Sequence, residues 1–94
     1  MKKCSKLLLK AVESPESMRF SELCRLAVCW GYEFKGQKGA HRKYKHERLR
    51  LPKEGAMFIL QPDRDGNAKP YQVKQVTTAI DYIESEFPDY RTQE

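Results

Sequence analysis

Residues 31–46 read GYEFKGQKGAHRKYKH. Immediately upstream, Leu23, Leu26, Ala27 and Trp30 recur at helical spacing, with Cys24 widening the stripe. Gly31 is the helix stop. The period then changes to two. Tyr32 and Phe34 share one face of a strand, and Glu33 and Lys35 share the other. Gly36-Gln37-Lys38-Gly39 is expected to form a hairpin turn, with the strand returning over Ala40–His46. On that return His41, Lys43 and Lys45 fall on one face, and Ala40, Arg42, Tyr44 and His46 on the opposite one. Tyr44 is the natural core residue of the second group, and His46 is expected to be a hydrogen-bonded structural histidine. Arg42 fits an inward face only by snorkelling at a sheet edge.

The flanking sequence supplies the remaining elements. Lys3–Glu13 places Leu7, Leu8, Ala11 and Val12 on one helical face, and Ser14-Pro15-Glu16-Ser17 ends that helix. Ser21 is the expected N-cap of the next helix, with Phe20 in the staple position before it. Glu47–Gly55 is a charged loop containing Pro52. The continuous apolar run Ala56–Gln61 is expected to be a central, buried strand. Asp63–Asn67 is a turn, and Pro70 opens a helix at N1. Val73, Val76, Ile80 and Ile83 line the buried side of that helix, with Ala79 beside them, and Phe87-Pro88 closes it. The order is α-α-β-β-β-α. It predicts an α+β fold, a two-layer sandwich with a three-stranded antiparallel sheet and helices on one face. The other face stays open and carries His41, Lys43 and Lys45.

Ninety-four residues suit a single domain: an N-terminal helix and linker over 1–18, a core over 19–87 and a frayed tail over 88–94. No apolar run approaches the roughly 18–20 residues of a membrane span. Lys2 and Lys3 precede Leu7-Leu8-Leu9, but that stretch is too short for a signal peptide. The expectation is a cytoplasmic protein without a membrane partner. Cys4, Cys24 and Cys29 are odd in number and suggest no pairing framework. The absence of a C-x-x-C pair argues against structural zinc, so no metal and no small-molecule cofactor are expected.

The net charge of +5 is unevenly spread. Between Lys35 and Lys53 stand Lys35, Lys38, Arg42, Lys43, Lys45, Arg48, Arg50 and Lys53, with Glu47 as the sole acid. The C-terminal stretch instead carries Asp81, Glu84, Glu86, Asp89 and Glu94 against Arg91. This asymmetry fits one face turned to an anionic partner, and equally a solvated basic hairpin. No G-K-[ST] ending follows the glycines of GQKGAH, so they are not a phosphate loop of the Walker type. Carboxylates near the basic segment are too few for a clustered-carboxylate nuclease. One chemistry remains economical. RNA carries its own nucleophile, the 2′-hydroxyl, and needs only a proton-transfer group active near neutral pH and cations for the phosphorane. His41 is the candidate for the first role; Lys38, Arg42, Lys43 and Lys45 are the candidates for binding RNA phosphate. A lone histidine on a strand is as readily an ordinary surface residue, and Tyr44 is a core residue before it is a stacking platform.

Two blocks together resemble a known family. RFSELCRLAVCWGYEFKGQKGAHRKYKH (19–46) is similar to the helix, glycine, strand and G-S-H-H-x-[YF]-x-H segment of the HicA toxins of HicA–HicB toxin–antitoxin pairs. LQPDRDGNAKPYQVKQVTTAIDYI (60–83) is similar to that family's second block, with its L-Q-P, A-K-P-Y-Q-V and final helix. The N-terminal helix marks the longer variety. The resemblance implies a fold like the double-stranded-RNA-binding domain and a metal-independent endoribonuclease that cleaves mRNA. It also implies a HicB-like antitoxin protein that occludes the active site. The family's catalytic histidine falls on His41, its aromatic on Tyr44 and its following histidine on His46. Ala40 replaces the family's serine and Arg42 its second histidine. Those two departures keep a non-catalytic RNA-binding module, or a protein-interaction subunit, among the alternatives.

Overall fold

A computed structural model describes residues 3–51, 53–90 and 92. Its elements are α1 (Lys3–Glu13), α2 (Phe20–Cys29), β1 (Tyr32–Lys38), β2 (His41–His46), β3 (Met57–Leu60) and α3 (Pro70–Glu86), with a single 3-10 turn at Pro15–Ser17. The α-α-β-β-β-α order and the three-stranded antiparallel sheet are as expected, with strand order β1-β2-β3.

Amphipathic spacing explains the helices. Leu23, Leu26 and Ala27 of α2 and Val73, Val76, Ile80 and Ile83 of α3 are all fully buried in the core shared with Tyr32, Tyr44 and Leu60. Fully burying one such aliphatic side chain stabilises the fold by roughly 1.5–3 kcal/mol. Helix α1 makes its main contacts with α2 and α3. Pro70 stands at the start of α3, where its missing N–H has no intrahelical partner to lose.

Helix α2 begins one residue before the expected Ser21 cap. Arg19 holds the N-cap position, and its backbone N–H donates to the Glu22 carboxylate at 2.9 Å. Lys10 of α1 donates to the same carboxylate at 2.9 and 3.1 Å. The Arg19 N–H bond, followed by Lys10, holds the Glu22 carboxyl below its usual range. The acid three residues past the cap, rather than a short polar side chain at the cap, therefore sets this helix start.

The cysteine expectation is overturned. Cys4 of α1 and Cys29 of α2 form a disulfide, both buried, and Cys24 is the free, buried thiol. The two cysteines are 25 residues apart in sequence, and only the packing of α1 along α2 brings them together. Closing a loop of that length stabilises the fold by about 3–4 kcal/mol in the chain-entropy picture.

The hairpin is tighter than expected. A bulge between Phe34 and Gly36 absorbs one residue, so the ladder continues to Lys38↔His41 and leaves a two-residue turn, Gly39-Ala40. Gly39 has φ +59°, the sign a primed hairpin turn needs at its first central position.

The apolar run 56–61 does not form the central strand. β2 is central, flanked by hairpin partner β1 on one side and β3 on the other. β3 is a four-residue edge strand in which Leu60 is buried and Ile59 is 51% exposed. The apolar residues of this run therefore sit on both sheet faces, although only one face is covered.

The tail is pinned at least to Tyr90. Its hydroxyl donates to the Glu47 carboxylate at 2.6 Å, and Arg48 lies over the Phe87 and Tyr90 rings. Residues 91, 93 and 94 of the expected frayed tail, and Pro52 of the loop, lie outside the described residues. No described helix is long and apolar enough to cross a membrane.

Candidate nucleic-acid interface

Strand β2 sorts its side chains by alternation. Cross-strand partners Lys38↔His41, Gly36↔Lys43 and Glu33↔Lys45 lie on the face away from the helices, joined there by Ile59 and Met57 of β3. On the helix side stand Gln37↔Arg42, Phe34↔Tyr44 and Tyr32↔His46.

On the open face, Gly36, Lys38, His41, Lys43 and Ile59 line a shallow hollow of about 230 Å³, and Gln37, between Gly36 and Lys38 in β1, completes its wall. The structure thus brings His41 together with Lys38 and Lys43. All three side chains are exposed, so each can reach a bound polyanion without unfolding anything. The turn beneath them is stiffened by the Gln37 side-chain amide, which donates to the Gly39 carbonyl at 2.9 Å. Lys45 shares the face but stands farther along, half-buried and opposite Glu33, whose carboxylate also pairs with Lys35 at 3.3 Å.

Arg42 does not join this group. Its guanidinium lies 5.7 Å from the Phe20 ring centre and 6.0 Å from that of Phe34, on the helix side of the sheet. The snorkelling expectation is correct in kind and wrong in place. Arg42 sits on the central strand, and two aromatic rings, rather than an open edge, carry its charged head.

His46 is the opposite of His41. It is 1% exposed and packs edge-on against Tyr32 at 4.9 Å between ring centres. Its Nε2–H donates to the Trp30 carbonyl at 2.7 Å, while Nδ1 accepts from the backbone N–H groups of Arg48 at 3.0 Å and Leu49 at 3.3 Å. Both ring nitrogens are used, and a second proton on Nδ1 would face two donors. Burial, with the Arg48 charge adding to it, pushes the His46 imidazole below its ordinary range against smaller raising contributions from the Trp30 carbonyl and Glu47. Gly31 makes this packing possible. It has φ +95°, and a Cβ there would collide with the Tyr90 hydroxyl, the Glu47 carboxylate and His46 Nε2.

Sequence reasoning missed Ile59 and Gln37 as neighbours of His41. The glycines on either side of Gln37 read as a turn, whereas the bulge places it in a strand. Ile59 was hidden because an unbroken apolar run carries no period-two signal. No cluster of three or more potential metal ligands occurs among the described residues. Comparison of the chain with protein-family models, curated proteins and solved structures found no match.

Proposed function

We propose that the chain is a HicA-like endoribonuclease that cleaves mRNA through His41 and is neutralised by a HicB-type antitoxin. The observation that carries this reading is the grouping of His41 with Lys38 and Lys43 around one hollow on the uncovered sheet face. Lys38 and Lys43 hold the scissile phosphate. His41 moves a proton, either from the attacking 2′-hydroxyl or to the departing 5′-oxygen. The new O2′–P bond forms as the P–O5′ bond breaks, leaving a 2′,3′-cyclic phosphate and a 5′-hydroxyl. The nucleophile belongs to the substrate, so a metal-bound water is not required. Phosphate contacts carry no base information, so sequence preference is weak.

An mRNA substrate places the work in the cytoplasm, where the reducing poise acts against the Cys4–Cys29 bond. Thiol counting on protein taken from the cytoplasm under alkylating conditions reports which state operates there.

A second reading, RNA binding without cleavage, draws on Ala40 and Arg42. The hollow's rim has no hydroxyl at position 40, and the cation at 42 is turned to the other face. Purified chain incubated in EDTA with end-labelled single-stranded RNA separates the readings. Cleavage to cyclic-phosphate ends supports the ribonuclease. Retention without cleavage supports the binding module, and neither outcome leaves a protein-interaction subunit.

A further inference from the structure

A second groove, among the described residues, is larger than the His41 hollow. It runs between β3 and α3, has a volume of about 660 Å³ and is lined by Met57, Phe58 and Ile59 on one side and Lys74, Thr78 and Tyr82 on the other. Ile59 lines both cavities, so the groove and the hollow are neighbours across one side chain.

The strand beside the groove is an edge. The His46 N–H donates to the Ala56 carbonyl at 2.8 Å, which fixes the phase of the β2–β3 ladder. Alternation then turns the N–H and C=O of Met57, and the N–H of Ile59, away from β2 and toward the groove. Farther along, Gln72 closes the edge: its amide donates to the Ile59 carbonyl at 3.4 Å and its oxygen accepts from the Gln61 N–H at 3.2 Å. The unsealed part is therefore Met57 to Ile59. Its protection is its shortness and the neighbouring Gln72 seal; MFIL contains no charge and no proline to turn a further strand away. Leu51 on the groove wall is 58% exposed, and Ile59 is 51% exposed.

Charge selects the occupant. Lys43 and Lys45 stand opposite Ile59 and Met57 on the neighbouring strand, and Lys53 and Lys74 line the groove itself; Glu54 is the acid among them. A second copy of the chain, pairing edge to edge, would bring two such cationic rims together. An acidic segment meets four cations and one acid.

We propose that this groove takes an extended acidic segment of a partner protein, which adds a short strand at Met57–Ile59 and continues past Ile59 over the His41 hollow. Main-chain bonds to the edge supply affinity, and the lysines select for acidic side chains. The docking stands on the fold alone; the inhibition it produces rests on the ribonuclease reading.

The test uses the full chain and a fluorescent alternating Glu-Val heptapeptide. Anisotropy should show binding, with affinity about tenfold or more weaker for the Lys-Val counterpart and for a Glu-Val peptide N-methylated at alternate residues. Backbone NMR shifts should centre on Met57, Ile59, Lys74 and Tyr82. The double variant Lys53→Glu/Lys74→Glu should reverse the preference between acidic and basic peptides. N-methylation alters only the peptide, so its effect cannot come from a misfolded variant. Equal affinity for acidic and basic peptides, no binding at any soluble concentration, or shifts away from β3 and α3 would each overturn the proposal. So would concentration-dependent dimerisation that perturbs these same residues, or an RNA oligomer that shifts Lys74 and Tyr82 as strongly as the peptide does. The ribonuclease reading fails separately: peptide binding by a chain that never cleaves RNA leaves the docking intact. Cleavage that persists with the groove saturated removes the inhibitory role.

Discussion

Strand β2 begins and ends with a histidine, and the two experience opposite environments. His41 stands exposed beside Lys38 and Lys43 over a hollow open to solvent. His46, five positions on, is sealed between Tyr32, Tyr90 and the Trp30 carbonyl. An odd separation puts them on opposite sheet faces, and only one face is covered by helices. The same comparison holds for the cations between them. Lys43 shares His41's face, whereas Arg42 is drawn to two aromatic rings on His46's side. The lesson is that residue type alone does not separate a chemical group from a structural one. One-residue register, combined with which face is packed, makes the distinction.

The sharpest way to break that contrast is to remove each imidazole in turn. His41→Ala should lower single-turnover RNA cleavage by roughly 10²–10⁴-fold, which is about 3–5 kcal/mol in the barrier. Thermal unfolding should not move, because the ring is exposed and packs on nothing that the fold needs. Cleavage at the wild-type rate would place the chemistry elsewhere.

His46→Ala should do the reverse. It leaves the Trp30 carbonyl and two backbone N–H groups without their partner and opens a cavity beside Tyr32. The expected loss is about 2–4 kcal/mol in urea unfolding, with cleavage per folded molecule unchanged. A variant as stable as wild type would mean the buried hydrogen bonds contribute nothing net.

Acid should sharpen the same difference with no mutation. The folded state holds the His46 imidazole below its ordinary value of 6.5, so the unfolded chain binds the proton first. Its contribution is fully present above that unfolded value and is lost as the pH falls from there toward the depressed folded value. The slope within that window is at most about 1.4 kcal/mol per pH unit. Urea midpoints should drop across this range in wild type and drop less in His46→Gln. Identical pH profiles for the two would remove His46 as the cause.

The smallest effect separates the neighbouring cations. Lys43→Ala should lower the salt dependence of single-stranded RNA binding by about 0.7 in the log–log slope, the value of one phosphate contact. Arg42→Ala should leave that slope alone and cost about 1 kcal/mol of stability through the lost ring contacts. Equal slopes for both variants would put Arg42 back on the RNA.

Much of this arrangement is legible in the sequence. The stripes of α2 and α3 were readable because helical period is a local property, and every predicted buried position in Val73, Val76, Ile80 and Ile83 is buried. The faces of β2 were readable for the same reason. The rest depended on contacts between distant segments. Whether the Ala56–Gln61 run was central or at an edge depends on which strands pair, and an apolar run looks alike in both. The start of α2 is not legible locally because its cap acts through Glu22, whose carboxylate also binds Lys10 of another helix. Gly36 and Gly39 both resemble turn residues; only the bulge between Phe34 and Gly36 decides which one turns the chain.

By itself, then, the sequence determined the elements, their order and the sorting of His41, Lys43 and Lys45 from Arg42, Tyr44 and His46, because these follow from backbone periods of 3.6 and two. The tertiary structure decided the Cys4–Cys29 bond, the edge position of β3, the Gln72 seal and the Phe20–Arg42–Phe34 stack. Each of these joins groups far apart in the chain or depends on which segments pair. Such contacts exist only after the loops between those segments have closed, and no local pattern encodes how they close.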